Sequence, residues 1–90
     1  MDLTQIRDRI DQLDRQLAEL WTERMEITDE VAAYKIEHSL PVYHPEREKQ
    51  VIEKVCALTR EEYRGALAVI YQCIMDESKK NQEKYIADKK

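Results

Sequence analysis

Ninety residues with 38% charged, a net charge of −4, one Gly, two Pro and no Phe describe one small helical domain, spanning 1–90, rather than a sheet or a disordered tail. A chain of this size buries only about 60% of the surface it exposes when unfolded, which leaves a lone monomer marginal. Mixed charge without a basic stripe excludes nucleic acid as the main partner, and the charged opening MDLTQIRDRID, with no long apolar run anywhere, excludes a signal peptide and a membrane span; a cytoplasmic chain is expected.

The first element is a long helix from Leu3 or Thr4 to about Glu37. Counting in sevens gives one seam position at Leu3, Ile10, Leu17, Arg24 and Val31, and its companion at Ile6, Leu13, Leu20, Ile27 and Tyr34. Nine of these ten are apolar or aromatic, and Arg24 is the exception. Such a helix runs roughly 50 Å, and the rest of the chain is too short to cover its seam. HSLPVYHP breaks it, with Pro41 and Pro45 four apart.

Pro45 suits the first turn of a second, short helix, with Glu46 and Glu48 at its positive end and Val51, Ile52, Val55 and Leu58 as its apolar row. TREE then reads as a capping box, Thr59 with Glu62, opening a third helix of intermediate length. That helix carries Ala66, Ile70 and Ile74 in steps of four and is expected to reach Tyr85 or Ile86, with ADKK fraying. Cys56 and Cys73 fall in apolar helical patterns, without metal or redox spacing, and are expected to be buried, reduced thiols. His38 and His44 lie six apart in the Pro-broken loop, which is not helical ligand spacing, so no metal is expected. Tyr71, Tyr85 and Trp21 read as packing and interface aromatics.

Arg24 is not the only polar residue on an apolar row. The row of Ala66, Ile70 and Ile74 continues into Ser78 and Gln82, and Glu48 lies on the packing side of the second helix. Lys35 follows Arg24 by eleven residues, about 20° off the same face. Polar groups on packing faces cost free energy unless something pairs with them. One reading is a buried Arg24–Glu48 ion pair with end-of-helix polarity at Ser78 and Gln82. The other is a pocket for a polar ligand, favoured because Arg24, Lys35 and Arg47 face only Glu48; such an excess of cations suits an anion, and carboxylates in particular. Arg7 sits beside the seam, about 42 Å along the helix from Lys35. It can join the same site only from a second protomer running antiparallel, and the uncovered seam asks for the same two-fold partner.

These residues resemble the all-helical chorismate mutases, small intertwined homodimers that convert chorismate to prephenate in the shikimate pathway of aromatic amino acid biosynthesis. IRDRIDQLD is similar to the family's opening helix, ERMEITDEVAAYK to its central stretch, PEREKQVIEKV to the second helix, and DESKKNQEKY to the end of the third. The resemblance implies an all-α fold of three helices per chain in an intertwined helical homodimer, and an intramolecular isomerase with no cofactor. It implies that Arg7 from the partner chain and Arg24 clamp the carboxylates of chorismate, with Arg47 and Ser78 assisting. By the same resemblance Lys35 and Gln82 would donate to the ether oxygen, and Glu48 would accept from the ring hydroxyl and help orient Lys35. His44 stands where some relatives have aspartate, and its contact is expected through the backbone. Such domains occur alone or fused to other enzymes of the pathway, and this chain looks like the free-standing form or an excised piece.

Two other readings compete. An isochorismate-pyruvate lyase shares the scaffold, the arginines, the lysine and the glutamine, but tends to lack an acid at the place of Glu48. A non-catalytic helical dimerisation module needs the seam alone, and predicts no convergent set of cations with one acid and one amide.

Overall fold

The computed structural model describes residues 2–89, which form α1 (Leu3–Glu37), α2 (Pro45–Cys56) and α3 (Glu61–Lys89). No strand occurs among the described residues, so the all-α architecture of one long, one short and one intermediate helix is as expected. None of these helices is long and apolar enough to cross a membrane.

Each helix end has a local cause. Asp2 caps α1 in a reciprocal box: its carboxylate accepts the Gln5 N–H at 2.9 Å, and its own N–H donates to Gln5 Oε1 at 3.0 Å. At the other end the Leu40 N–H donates to the Lys35 carbonyl and the Ser39 N–H to the Ile36 carbonyl. This is a Schellman ending, with Ser39 at φ 55° in the left-handed position that glycine usually fills. In α2, Pro45 occupies the first turn as predicted, and the His44 imidazole is the N-cap, Nδ1 accepting the Arg47 N–H at 3.1 Å.

The third helix departs from expectation at both ends. It begins at Glu61, not on a Thr59 cap, because the Thr59 N–H is drawn into the turn closing α2, donating to the Cys56 carbonyl. The first accepting carbonyl is then that of Arg60, which takes the Tyr63 N–H at 3.0 Å. Instead of fraying after Ile86, α3 runs to Lys89, whose ammonium lies over the Tyr85 ring at 5.3 Å and complements the negative helix end.

α3 packs against both α1 and α2, whereas α1 and α2 only face one another across a cleft. Bonds from Arg24 to Ser78 and from Lys35 to Gln82 advance along α1 and α3 in the same chain direction. The result measures 54 × 26 × 14 Å, little more than one helix thick. Such a layer has almost no interior: the buried apolar residues are Ala32 and Met75 alone among those described. The seam of α1 stands open, its nine apolar members 38% to 63% exposed. The accessible surface is 7355 Å² where about 5,500 Å² suits a compact chain of this mass, and the radius of gyration is 16.3 Å against about 12 Å. The thiols differ from expectation for the same reason. Both are free, but Cys56 of α2 is only half-buried, and Cys73 is exposed because no described residue covers its face of α3.

Candidate functional site

Apolar and charged residues from all three helices and the α1–α2 loop line one cleft of about 350 Å³, a volume typical of small-molecule sites. Ile27, Val31, Val51 and Met75 supply its apolar wall. Arg24, Lys35, His44, Arg47, Glu48, Ser78 and Gln82 supply the polar one, so every site residue expected of a single chain reaches the same cleft. Arg7 does not. It is exposed near the start of α1, about 25 Å of helix before Arg24.

Two of the cations, Arg24 and Lys35, are held by neutral partners. Arg24 Nη1 donates to Ser78 Oγ at 2.7 Å, and Lys35 Nζ donates to Gln82 Oε1 at 2.8 Å and to the Val42 carbonyl at 2.9 Å. Burial pushes the Lys35 ammonium below its ordinary range. Among the described residues, none of Arg24, Lys35 and Arg47 forms a salt bridge. The Arg24–Glu48 ion pair that one sequence reading offered is absent, and Glu48 does not hold Lys35 either. Its carboxylate pairs instead with Lys79 at 3.1 Å. The carbonyl of His44 accepts the Glu48 N–H at 3.1 Å. No cluster of three metal-ligating side chains occurs among the described residues.

Sequence reasoning missed the frame behind these groups. Asn81 Nδ2 donates to Thr28 Oγ1 at 2.6 Å and Asp29 Oδ1 at 2.8 Å, stapling α3 to α1 between the Arg24–Ser78 and Lys35–Gln82 contacts. The signal was available, since Asn81 lies three after Ser78 on the same face of α3. Lys79 gave none, as its position follows Ser78 directly and falls off the apolar row.

The chorismate mutase type II family matches residues 6–83, from the first turn of α1 through α2 and most of α3. Three relatives agree with it. The bifunctional chorismate mutase/prephenate dehydratase of Aquifex aeolicus is 33% identical over 82% of this chain and 22% of its own length. The T-protein of Haemophilus influenzae is 41% identical over 57% of this chain and 14% of its own. The chorismate mutase of Methanocaldococcus jannaschii is 28% identical over 96% of this chain and 89% of its own. The chain thus spans less than a quarter of the first two relatives and most of the third. No solved structure matches it significantly. Three helices in this order, a cleft that gathers cations with one acid and one amide, and this match over 6–83 agree: the chain belongs to the chorismate mutase type II family.

Proposed function

We propose that this chain is a chorismate mutase, a single cytoplasmic domain of residues 1–90 that works as an intertwined homodimer and rearranges chorismate to prephenate in aromatic amino acid biosynthesis. The observation that carries the reading is the charge imbalance in the cleft. Arg24, Lys35 and Arg47 line it without salt bridges among the described residues, and its acid, Glu48, is already tied to Lys79. Arg24 and Lys35 are half-buried there, and partly desolvated cations without counter-ions cost free energy, which a ligand with two carboxylates relieves.

The rearrangement breaks an ether C–O bond and forms a C–C bond within one molecule, exchanging no proton or electron with the protein. The task is to hold a folded conformer and to stabilise charge growing on the ether oxygen. Arg24, fixed by Ser78, and Arg47 bind the carboxylates, and Arg7 from the partner closes over them. Lys35 has three N–H donors, of which Val42 and Gln82 take two; the third serves the ether oxygen. Gln82 accepts from Lys35 through Oε1, which leaves its NH₂ to donate to the same oxygen. Glu48 accepts from the ring hydroxyl, and the His44 N–H contributes at the cleft's edge. A million-fold acceleration corresponds to about 8 kcal/mol, within reach of a few charge-assisted bonds against an apolar wall.

The surface excess supports the dimer. It is roughly 1,800 Å² per chain, or about 3,600 Å² for two, in the range of obligate interfaces. The free thiols of Cys56 and Cys73 suit a reducing compartment.

The test is direct. Chorismate incubated with the purified chain is consumed, followed by absorbance, and the product is prephenate. Parallel incubation with isochorismate distinguishes the lyase, which would release pyruvate. Failure to convert chorismate, with no rise in melting temperature on adding it, leaves the dimerisation module as the reading.

A further inference from the structure

Glu48 stands between two clefts. One is the site above. The other, on the far side of α2, is lined by Tyr43, Ile52, Gln72 and Lys79 as well as by Glu48 itself. The Lys79 ammonium reaches Glu48 from this second side, 3.1 Å from Oε2. Two further contacts fix the ammonium: Asp76 Oδ1 at 3.4 Å and the Tyr43 ring at 4.6 Å from its centroid. The pair is largely withdrawn from water, Lys79 with 25% and Glu48 with 16% of the side chain exposed. A part-buried pair braced by a further carboxylate and a ring is held more firmly than an isolated exposed one. Lys35 and Glu48 share the first cleft, yet Lys35 is held by Val42 and Gln82, so the bond that orients Glu48 comes from α3.

We infer that Lys79 is a positioning residue for the reaction: by holding Glu48 Oε2 from behind the cleft wall, it fixes the carboxylate so that Oε1 accepts the ring hydroxyl of the substrate. This rests on the functional reading above. Lys79 itself does not touch the substrate and acts only through Glu48, with Asp76 and Tyr43 keeping its ammonium in place. The hydrogen bond to Glu48 also raises the Lys79 pKa above the ordinary lysine value, against the opposing effect of burial, so the ammonium stays charged wherever the enzyme works.

A double-mutant cycle on kcat/KM separates this role from a structural one. Lys79→Met is expected to lower kcat/KM about tenfold in the parent background and less than twofold in a Glu48→Gln background, where the bond it made no longer serves a carboxylate. Lys79→Arg, which restores a donor to Glu48, should recover most of the loss. Where Lys79→Met fails to assemble, Lys79→Gln takes its place in the cycle, keeping length and polarity without charge. Equal losses in both backgrounds, full activity of the uncharged variant, or an inert Glu48→Gln substitution each overturn the inference while leaving the mutase reading intact. A parent chain that turns over no chorismate overturns the functional reading first, and this inference with it.

Discussion

The Lys35 ammonium lies 2.8 Å from Gln82 Oε1, joining α1 to α3 across the floor of the cleft through a charged donor and a neutral acceptor. On the proposed mechanism Lys35 works only as a cation, and burial lowers its pKa from the ordinary 10.5. Activity should therefore fall on the alkaline side, with kcat/KM declining at a lower pH than an exposed lysine would give. Bound dianion favours the ammonium, so the limb in kcat should lie higher than that in kcat/KM. Stability runs the other way. Between the lowered native pKa and 10.5 the unfolded chain binds more protons, so Lys35 contributes a stability that rises with pH across that window. Gln82 donates without being protonated, so no increase in activity is expected below neutrality. Gln82→Glu would change that, because a carboxyl donates only when protonated, and its activity should climb as pH falls. A pH–rate series on both proteins decides the matter.

Arg24 interrupts the seam of α1 and ends on Ser78 Oγ at 2.7 Å, with no carboxylate partner among the described residues. A residue kept for structure would take its stability with it when removed. Arg24→Ala is expected instead to leave helix content unchanged by circular dichroism while kcat/KM drops on the order of 10²- to 10³-fold, a loss of about 3–4 kcal/mol in transition-state stabilisation. Arg24→Lys should rescue only partly, since an ammonium cannot present a fork to a carboxylate. Loss of fold with normal turnover per folded site would make the arginine structural.

How much of this was legible in the residues depends on range. The three helices were, because heptad spacing in α1, Pro45 in α2 and the steps of four in α3 are local signals. So were the polar members of the site, since Arg24, Glu48, Ser78 and Gln82 each break an apolar row, and a broken row shows without coordinates. Their partners were not. Glu48 could have met Arg24, Lys35 or Lys79, and only the relative rotation of α2 and α3 decides for Lys79. The end of α3 lies beyond the expected one for a related reason, because composition shows the lysines of ADKK but not the Tyr85 ring beneath Lys89. Burial of Cys73 follows from its row only where something covers that row, and no described residue does.

The α1–α2 loop offers a stability prediction with a local cause. Ser39 sits at φ 55°, closing the Schellman turn that directs the chain toward Val42, whose carbonyl holds Lys35. A side chain in that conformation costs about 1 kcal/mol or more, which glycine avoids at the expense of a floppier unfolded chain. Ser39→Gly should raise stability by about 0.5–1 kcal/mol per chain and the melting temperature by a few degrees, measured at fixed protein concentration. Turnover should be unchanged. Ser39→Val, a β-branched residue in the same backbone, should do the reverse and also weaken the Lys35–Val42 contact.

The position of Arg7 yields the sharpest test of whether two chains share one site. It lies about 25 Å of helix before Arg24, too far to enter the cleft of its own chain. If it completes the partner's cleft, Arg7→Ala and Arg24→Ala should each give an inactive dimer, and for different reasons. Mix the two, let protomers exchange, and about half the dimers become mixed. In each mixed dimer one cleft combines an intact Arg24 with the partner's intact arginine at position 7, while the other lacks both. Turnover should return to about one quarter of the parent's per total site, on the timescale of subunit exchange. If the open seam of α1 is covered in the same pair, the melting temperature should also rise with protein concentration. If the mixture stays inactive while mass measurements show mixed dimers, then both arginines serve a single chain, and the second protomer contributes burial but no chemistry.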